Sequence, residues 1–346
     1  EYDDTGFEGF KKRLKGNNND ISHKIIQSND GTGSYYMTGT SNSEKGKFEK
    51  NKGGYDFLFT KLNGRGEAMF NYNFGGSEDD IGYDITRYDK NSFIIAGVSK
   101  SYDKDIKSTH YGDNDMWVIK TNKIGQIEWE KSIGGTKEDV AKSIIINKKK
   151  QVICVGYSQS NNNDIKRSYG NMDGVMVMLS DTGKLLTVRN FGGNGNDWFN
   201  DACLTKDGGY LFVGGTKTIT DEESRNKGAQ IWIVKANSYG VIDWEKTYGG
   251  TGNDEATSVI AINKTEFVIA ANSNSSHNKK SPIRNQYISV LKINENGKII
   301  DQKDIKQIND VYCSDIISIN PNVYAIGGYE EDDEKETSIW SYEFRF

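Results

Sequence analysis

The sequence predicts an all-β protein built from six copies of one four-stranded unit. Three observations support this prediction: a period of about 58 residues, strand-like runs separated by glycine and asparagine turns, and no apolar pattern of helical spacing. An aspartate marks the period, at spacings of 60, 59, 58, 57 and 56 residues. The six residues are Asp20, Asp80, Asp139, Asp197, Asp254 and Asp310. The copies of a single domain, 1–346, are therefore predicted to begin near residues 17, 77, 136, 194, 251 and 307.

Four of these aspartates follow a Gly-Gly step, with three residues between the second glycine and the aspartate. The four segments are 74–80, 133–139, 191–197 and 248–254. An acidic residue repeated in every copy is typical of a structural turn, in which the carboxylate accepts backbone N–H bonds. The alternative is a ring of carboxylates that binds a cation such as calcium, or a polyhydroxylated ligand. We expect the structural role, because functional sites usually break the symmetry of a repeat.

The second copy shows the order of elements within the unit. Residues 81–86 form the predicted first strand, and residues 92–98 form a second strand rich in β-branched and aromatic residues. After a polar loop at 99–114, residues 115–120 form the third strand and residues 126–131 an alternating fourth strand. Other second strands are predicted at 34–39, 151–156, 210–214, 266–271 and 323–327, and other third strands at 56–61, 174–179, 230–235, 286–292 and 338–344. The tight turns before the fourth strands contain Gly66, Gly125, Gly183, Gly240 and Gly297.

Four antiparallel strands per unit, repeated around an axis, form a β-propeller. The alternatives fit less well, because the coil of a β-solenoid is shorter and a sandwich of this size could not bury two sheets. The sixth copy ends after its third strand, while residues 6–16 align without gaps with residues 125–135, which contain a fourth strand. The sequence therefore predicts six blades, with Phe7–Leu14 pairing with Ser338–Phe344 to complete the last blade and remove exposed sheet edges.

Composition excludes several classes of protein. Aromatic residues make up 11% of the chain, too many for a disordered protein despite the mean hydropathy of −0.72. The net charge of −5 comes from interleaved basic and acidic stretches, so no basic surface for nucleic acid is predicted. No apolar run reaches the ~18 residues of a membrane helix.

Cys154, Cys203 and Cys313 are far apart, are expected to be small buried residues, and form no metal-binding motif. We expect a monomer without a cofactor.

Three segments carry a resemblance to a known family: KDGGYLFVGG at 206–215, DMWVIK at 115–120 and GVIDWEKTYGG at 240–250. They resemble the ~60-residue propeller repeats of bacterial secreted proteins, surface proteins and lipoproteins. The resemblance covers the whole chain and implies an extracytoplasmic protein, secreted or attached to the bacterial cell surface or envelope, without assigned catalytic residues. The Gly-x-Ile-x-Trp hairpins are also similar to the tryptophan-docking repeats of quinoprotein propellers, which have shorter periods. The glycine pairs within 213–215 and 326–328 are similar to kelch repeats, which would need such a pair in most copies.

Antiparallel connectivity places two kinds of connection at opposite ends of each blade. One end has the loop between the second and third strands and the link to the next blade, and the other end has two short turns. The long loops are predicted at 41–55, 99–114, 158–173, 216–229 and 273–285. Long loops on a rigid scaffold are where binding usually resides. The candidate ligand-binding residues at this end are Tyr102, Tyr111, Tyr169 and Trp198, which vary between copies and suit sugar stacking or protein contact. Packing against the rim of the blades is their alternative role.

The sequence thus predicts a non-catalytic binding module for a protein or glycan ligand. The alternative is a glycan-active hydrolase or lyase on the same scaffold. No catalytic residue is assigned, because the few arginines toward the long-loop end form no recognisable set of the kind that sialidase-type sites need. The three histidines lie in different copies without metal-binding spacing, and His110 is expected to be solvated.

Overall fold

The computed structural model describes residues 16–46, 51–219, 227–275, 286–331 and 337–346. Every regular element among them is a β-strand, and the strands form five four-stranded sheets and one three-stranded sheet. This confirms the predicted fold class, an all-β propeller with six blades. Within each sheet the strands lie side by side in chain order. Across the described segments, no helix is long and apolar enough to cross a membrane.

The strands of the first three sheets, four per sheet, are β1 (Asp20–Gln27), β2 (Tyr35–Ser41), β3 (Asp56–Leu62), β4 (Ala68–Phe74), β5 (Asp80–Arg87), β6 (Ser92–Ser99), β7 (Asp115–Asn122), β8 (Ile127–Ile133), β9 (Asp139–Ile146), β10 (Val152–Ser158), β11 (Asp173–Leu179) and β12 (Leu185–Phe191). The strands of the other three sheets are β13 (Asp197–Leu204), β14 (Tyr210–Thr216), β15 (Gln230–Ala236), β16 (Ile242–Tyr248), β17 (Asp254–Ala261), β18 (Glu266–Ser273), β19 (Tyr287–Asn294), β20 (Ile299–Ile305), β21 (Asp310–Asn320), β22 (Val323–Glu331) and β23 (Thr337–Arg345).

The chain divides into two compact units. The first consists of Glu1–Ile146, Ser160–Lys166 and Leu179–Leu185, and the second consists of Asn147–Gln159, Arg167–Met178 and Leu186–Phe346. The core of the first unit includes Phe57, Phe59, Phe93, Ile95 and Trp117. The second unit has one core around Leu211, Ile231 and Ile269 and another around Val290, Ile316 and Ile326.

The central strands of the first five sheets in chain order are almost entirely buried on both faces. All eight residues of β6 and all seven of β14 are buried, whereas β16 alternates between exposed and half-buried positions. Side chains on a strand point alternately to its two faces, so continuous burial requires packing on both. This explains why the second strands read as unbroken apolar runs and the fourth strands as alternating ones.

The turns before the fourth strands confirm the predicted glycines. Gly66, Gly125, Gly183, Gly240 and Gly297 all adopt positive φ, between 73° and 78°. Two of these turns also receive a tryptophan from the preceding sheet. The indole N–H of Trp129 donates to Asp181 O at 3.0 Å and that of Trp244 to Glu295 O at 3.1 Å. A Cβ at Gly183 or Gly297 would lie 2.8 Å from the corresponding ring, so glycine is needed for the close approach as well as for φ.

The sixth sheet has three described strands, and β23 is at its edge. Ile339 on this strand is 93% exposed. The segment that the sequence predicts as its partner, Phe7–Leu14, lies outside the described residues, so the completion of this blade stays a prediction. The three cysteines are free, with Cys154 and Cys313 buried and Cys203 half-buried. Burial raises the pKa of the Cys313 thiol to about 12.

Candidate functional site

At the loop end of the sheets, where the second-to-third-strand loops lie, five aspartates each accept several hydrogen bonds. Asp254 accepts the Gly250 N–H at 2.9 Å and the hydroxyls of Ser273 and Ser275. The same bond from a glycine four residues earlier is made to Asp20, Asp80, Asp139 and Asp197 at 2.7–2.8 Å. The hydroxyls of Ser41, Ser101, Ser160 and Thr218 donate to these four carboxylates. Each carboxylate therefore holds its glycine turn to the start of a long loop.

The hydroxyl groups come from a repeated step that the sequence analysis missed. It is Ser-x-Ser or Thr-x-Thr at 41–43, 99–101, 158–160, 216–218 and 273–275, with the same period as the aspartates. The strand register places Asp20 opposite Ser41 and Asp197 opposite Thr216. With this pairing, β2 ends at Ser41 and β14 at Thr216, each two residues after the strand end predicted from the sequence.

The sixth copy departs from this arrangement. The Val311 N–H donates to Gln286 O at 3.2 Å, which is the bond that the Asp254 N–H makes to Ala229 O at 2.7 Å. Val311 lies opposite Glu330 in the strand register, so no hydroxyl faces it. The residue that corresponds to the other five aspartates is therefore Val311.

The prediction that Asp310 is the sixth equivalent aspartate was wrong. Asp310 accepts the Gln286 N–H at 2.6 Å, just as Asn253 accepts the Ala229 N–H at 3.0 Å in the preceding copy. Asp310 therefore corresponds to Asn253, the residue that directly precedes Asp254 in the fifth copy. The spacing between successive aspartates in the sequence shortens by one residue from copy to copy. Asp310 fits this trend, so the spacing did not reveal that Val311 is the equivalent residue.

A second buried aspartate faces the first across the glycine turn. Asp56 and Asp80 are both fully buried. A Cβ at Gly75 would lie 2.3 Å from Asp56 Oδ1 and 2.5 Å from Asp80 Oδ2. Asp115 and Asp139 lie on either side of Gly134 in the same way. The first glycine of the Gly-Gly step is thus required because two carboxyl groups approach its Cα.

The environment of this second aspartate raises its pKa. Burial raises the pKa of Asp56 to about 7, opposed by a hydrogen bond from the Lys52 N–H and reinforced by the charges of Asp80 and Asp105. Burial likewise raises the pKa of Asp115 to about 6. In the fourth copy, the position that corresponds to Asp56 and Asp115 is occupied by Gln230. The Gln230 side-chain amide donates to Gly250 O at 3.1 Å.

The expectation that His110 is solvated was wrong. Its side chain is only 10% exposed, with Nδ1 3.4 Å from Asp115 Oδ2. Its Nε2 lies 2.7 Å from Gly112 O. The loop folds back on itself here because the Tyr111 N–H donates to Asp115 Oδ2 at 2.8 Å.

Of the four aromatic candidates, three tyrosines are exposed on loops. Tyr102 is 72% exposed and Tyr111 38%, both on the β6–β7 loop of the first unit, and Tyr169 in the second unit is 52% exposed. The Tyr169 N–H donates to Asp173 Oδ2 at 2.7 Å, which repeats the Tyr111 bond. The backbone of these two tyrosines therefore has a structural role, while their rings remain available.

Trp198 is placed differently. It is half-buried, its indole N–H donates to Glu255 Oε2 at 3.2 Å, and its ring lies against Gly215. This position ties two neighbouring sheets of the second unit together. Trp198 is therefore less accessible to a ligand than the tyrosines.

Within the segments that the structure describes, no three histidine, cysteine or carboxylate side chains are grouped so that they could hold a metal ion. The carboxylates of Asp20, Asp80, Asp139, Asp197 and Asp254 accept hydrogen bonds from backbone N–H and hydroxyl donors. Asp56, Asp80 and Asp115 each also have one buried oxygen, Oδ1, without a hydrogen-bond partner among the described residues. A role for calcium at the loop end stays an untested alternative.

No sequence pattern predicted the group formed by His23, Tyr83 and Lys142 in the first unit. Each first strand with a described register, β1, β5, β13, β17 and β21, contains an irregularity near its middle. In the first unit the irregularities of β1 and β5 fall at His23 and Tyr83, whose rings meet edge to face at 5.2 Å. The Lys142 ammonium of β9 lies 3.7 Å from the Tyr83 ring centroid. Only a break in strand alternation could have indicated these positions.

A cavity of about 470 Å³ lies at the opposite, turn end of the second unit. It is lined by Thr205, Lys206, Asp207, Lys235, Asp243, Trp244, Lys264, Phe267, Glu295 and Asn296. Sequence analysis did not predict it, because every turn at this end is short. Its volume is in the range of small-ligand sites.

The floor of this cavity is a three-membered ion network. Lys235, only 7% exposed, donates to Asp207 Oδ2 at 2.8 Å and to Asp243 Oδ2 at 3.0 Å. Partial burial opposes ionisation of Asp207, but hydrogen bonds from Lys235, Thr205 and Gly209 outweigh it and lower the pKa of Asp207 to about 2. The pair of Lys235 and Asp207 is thus ionised at neutral pH.

Solved structures that resemble this chain share its fold at very low sequence identity. The Neurospora crassa Pan2 WD40 domain aligns with 92% of this chain and 78% of its own, at 9% identity and a TM-score of 0.52. Kuenenia stuttgartiensis hydrazine synthase aligns over 93% and 79% of the two chains, at 9% identity and a TM-score of 0.54. A Dyadobacter fermentans protein of unknown function aligns over 95% and 96%, at 11% identity and a TM-score of 0.53. No protein-family model matches the chain, and no curated protein matches it.

Proposed function

We propose that this protein is a non-catalytic binding module that recognises a protein or glycan ligand through the loop end of its blades. The observation that carries the proposal is the combination of long loops held at their bases and exposed aromatic rings on those loops. The base of the β6–β7 loop is held by Asp80 at one end and Asp115 at the other, and Tyr102 between them is 72% exposed. Rings presented on a fixed loop lose little conformational freedom on binding.

The buried aspartates at this end are not placed for catalysis. Asp56, Asp80, Asp115 and Asp139 have no solvent exposure. A general acid or base must reach the atom whose proton it transfers. The raised pKa values of Asp56 and Asp115 arise within the protein interior, where a substrate has no access.

We base the proposed cellular location on the resemblance of the repeats. Their likeness to repeats of bacterial secreted and surface proteins supports an extracytoplasmic site of action. We propose that the protein acts there as a monomer, without a resident cofactor.

Alanine substitution of two loop tyrosines tests the proposal. Ligands would first be identified by glycan-array and pull-down screening of the intact chain. We expect the Tyr102→Ala/Tyr111→Ala variant to bind a hit about tenfold or more weakly, since exposed aromatic residues dominate binding energies. Tyr239→Ala is the matched control, because Tyr239 is 69% exposed but lies in a turn at the opposite end.

Two results would count against this function. Equal weakening by Tyr239→Ala and by the double variant would remove the loop end from recognition. Chemical conversion of a bound glycan during incubation with the protein would favour the hydrolase or lyase alternative.

A further inference from the structure

The residue beside the turn-end cavity of the second unit is much smaller than its counterpart in the second copy. The Thr205 N–H donates to Gly209 O, and the Tyr88 N–H donates to Ser92 O, each at 3.0 Å, so these residues occupy the same place in copies four and two. Tyr88 is buried, and the Lys120 ammonium lies 4.3 Å from its ring centroid.

In the fourth copy the corresponding lysine has no aromatic ring at this position. Lys120 pairs with Trp129 in the strand register and Lys235 pairs with Trp244, so the two lysines are equivalent. Thr205 is much smaller than tyrosine, and the cavity lies beside it. Asp207 and Asp243 hold Lys235 in place by hydrogen bonds. The first copy likewise has a small residue here, since the Ser28 N–H donates to Ser34 O at 2.7 Å, and an ion pair between Lys61 and Asp30 at 3.6 Å. The features that suit the second unit to a ligand are therefore the cavity itself and its lining, which joins this ion network to the Trp244 ring.

We propose that this cavity binds a neutral saccharide, with Trp244 as the surface on which a sugar ring packs. The ring is held in orientation, since its indole N–H donates to Glu295 O at 3.1 Å. An aromatic face is apolar and carries partial negative charge, which suits the weakly positive C–H face of a sugar.

The charges of the lining favour an uncharged ligand. The cavity has three lysines and three carboxylates, so its formal net charge is zero. The ammonium of Lys235 is already bonded to two of those carboxylates. Lys264 and Asn296 are exposed at the rim, where they can exchange hydrogen bonds with hydroxyl groups. This site is separate from the loop end, and its test uses different residues.

The test is titration calorimetry of the intact chain with maltotetraose, cellotetraose and N-acetylchitotetraose. We expect at least one of these oligosaccharides to bind. Thr205→Tyr, which restores the side chain of the second copy, should fill the cavity and weaken that binding by about tenfold or more, because it excludes the ligand. Trp244→Ala should weaken it to a similar extent.

The matched control is Trp129→Ala, because Trp129 makes the same turn contact in the first unit. We expect Trp129→Ala and Trp244→Ala to lower the melting temperature alike, but only the second to lose binding. Thr205→Tyr provides the readout if both tryptophan variants unfold. Failure of all three oligosaccharides to bind, binding of a peptide library instead, or undiminished binding by Thr205→Tyr would overturn the proposal.

Discussion

Replacement of Asp254 by alanine is expected to lower the free energy of unfolding by about 3 kcal/mol, because it removes the carboxylate acceptor of two buried hydroxyls and of the half-buried Gly250 N–H. Asp254 is 1% exposed and accepts bonds from Gly250, Ser273 and Ser275. Asp254→Asn should cost about 1 kcal/mol, since the amide oxygen retains some of these bonds and the Ser273 hydroxyl can reorient. Chemical denaturation of the purified variants measures both values.

Asp310→Ala is the matched control for this series. The sequence groups Asp310 with Asp254, but the structure gives it only a backbone N–H from Gln286 and a half-buried position. We expect a loss of about 1 kcal/mol or less. A loss equal to that of Asp254→Ala would contradict the structural distinction. A calcium-dependent rise in melting temperature that Asp254→Asn abolishes would instead indicate a cation site.

Asp56→Asn is expected to stabilise the protein at pH 8 and to have little effect at pH 4. Burial raises the pKa of Asp56 to about 7, well above that of an unfolded aspartate. The folded state therefore binds this proton more tightly, so the contribution to stability is present below pH ~4 and is lost as the pH rises to 7. The loss is on the order of 4 kcal/mol, and the amide should recover about 1–2 kcal/mol of it at pH 8.

Thermal unfolding between pH 4 and 8 measures this difference. The gap between Asp56→Asn and the natural protein should widen as the pH rises and level off above 7. Gln230→Glu is the reverse test, because it places a carboxyl group where the fourth copy has an amide beside Asp254. We expect it to destabilise the protein increasingly with rising pH. A pH-independent effect of Asp56→Asn would show that the pKa of Asp56 is not raised in the folded state, and a pH-independent effect of Gln230→Glu would show the same for a carboxyl group at the Gln230 position.

The sequence alone was sufficient to predict the blades. The period, the Gly-Gly steps and the turn glycines such as Gly125 are local signals, and each depends on backbone conformation within one copy. The unbroken apolar runs in the sequences of β6 and β14 predicted that these are central strands. The same regular spacing led to the wrong prediction that Asp310 is the sixth equivalent aspartate. Hydrogen bonds between neighbouring sheets, and not the spacing, show that Val311 occupies that position.

The candidate sites depended much more on tertiary structure. Sequence located the exposed tyrosines on long loops, because loop length and polarity are visible in one chain. It could not show that His110 packs on Asp115, that Asp56 faces Asp80, or that Thr205 leaves a cavity where Tyr88 fills the corresponding space. Those features require residues from different strands or blades to be brought together. Periodic local propensity thus determined the repeating scaffold, whereas burial and long-range contact decided which carboxyl groups have raised pKa values and where a cavity forms.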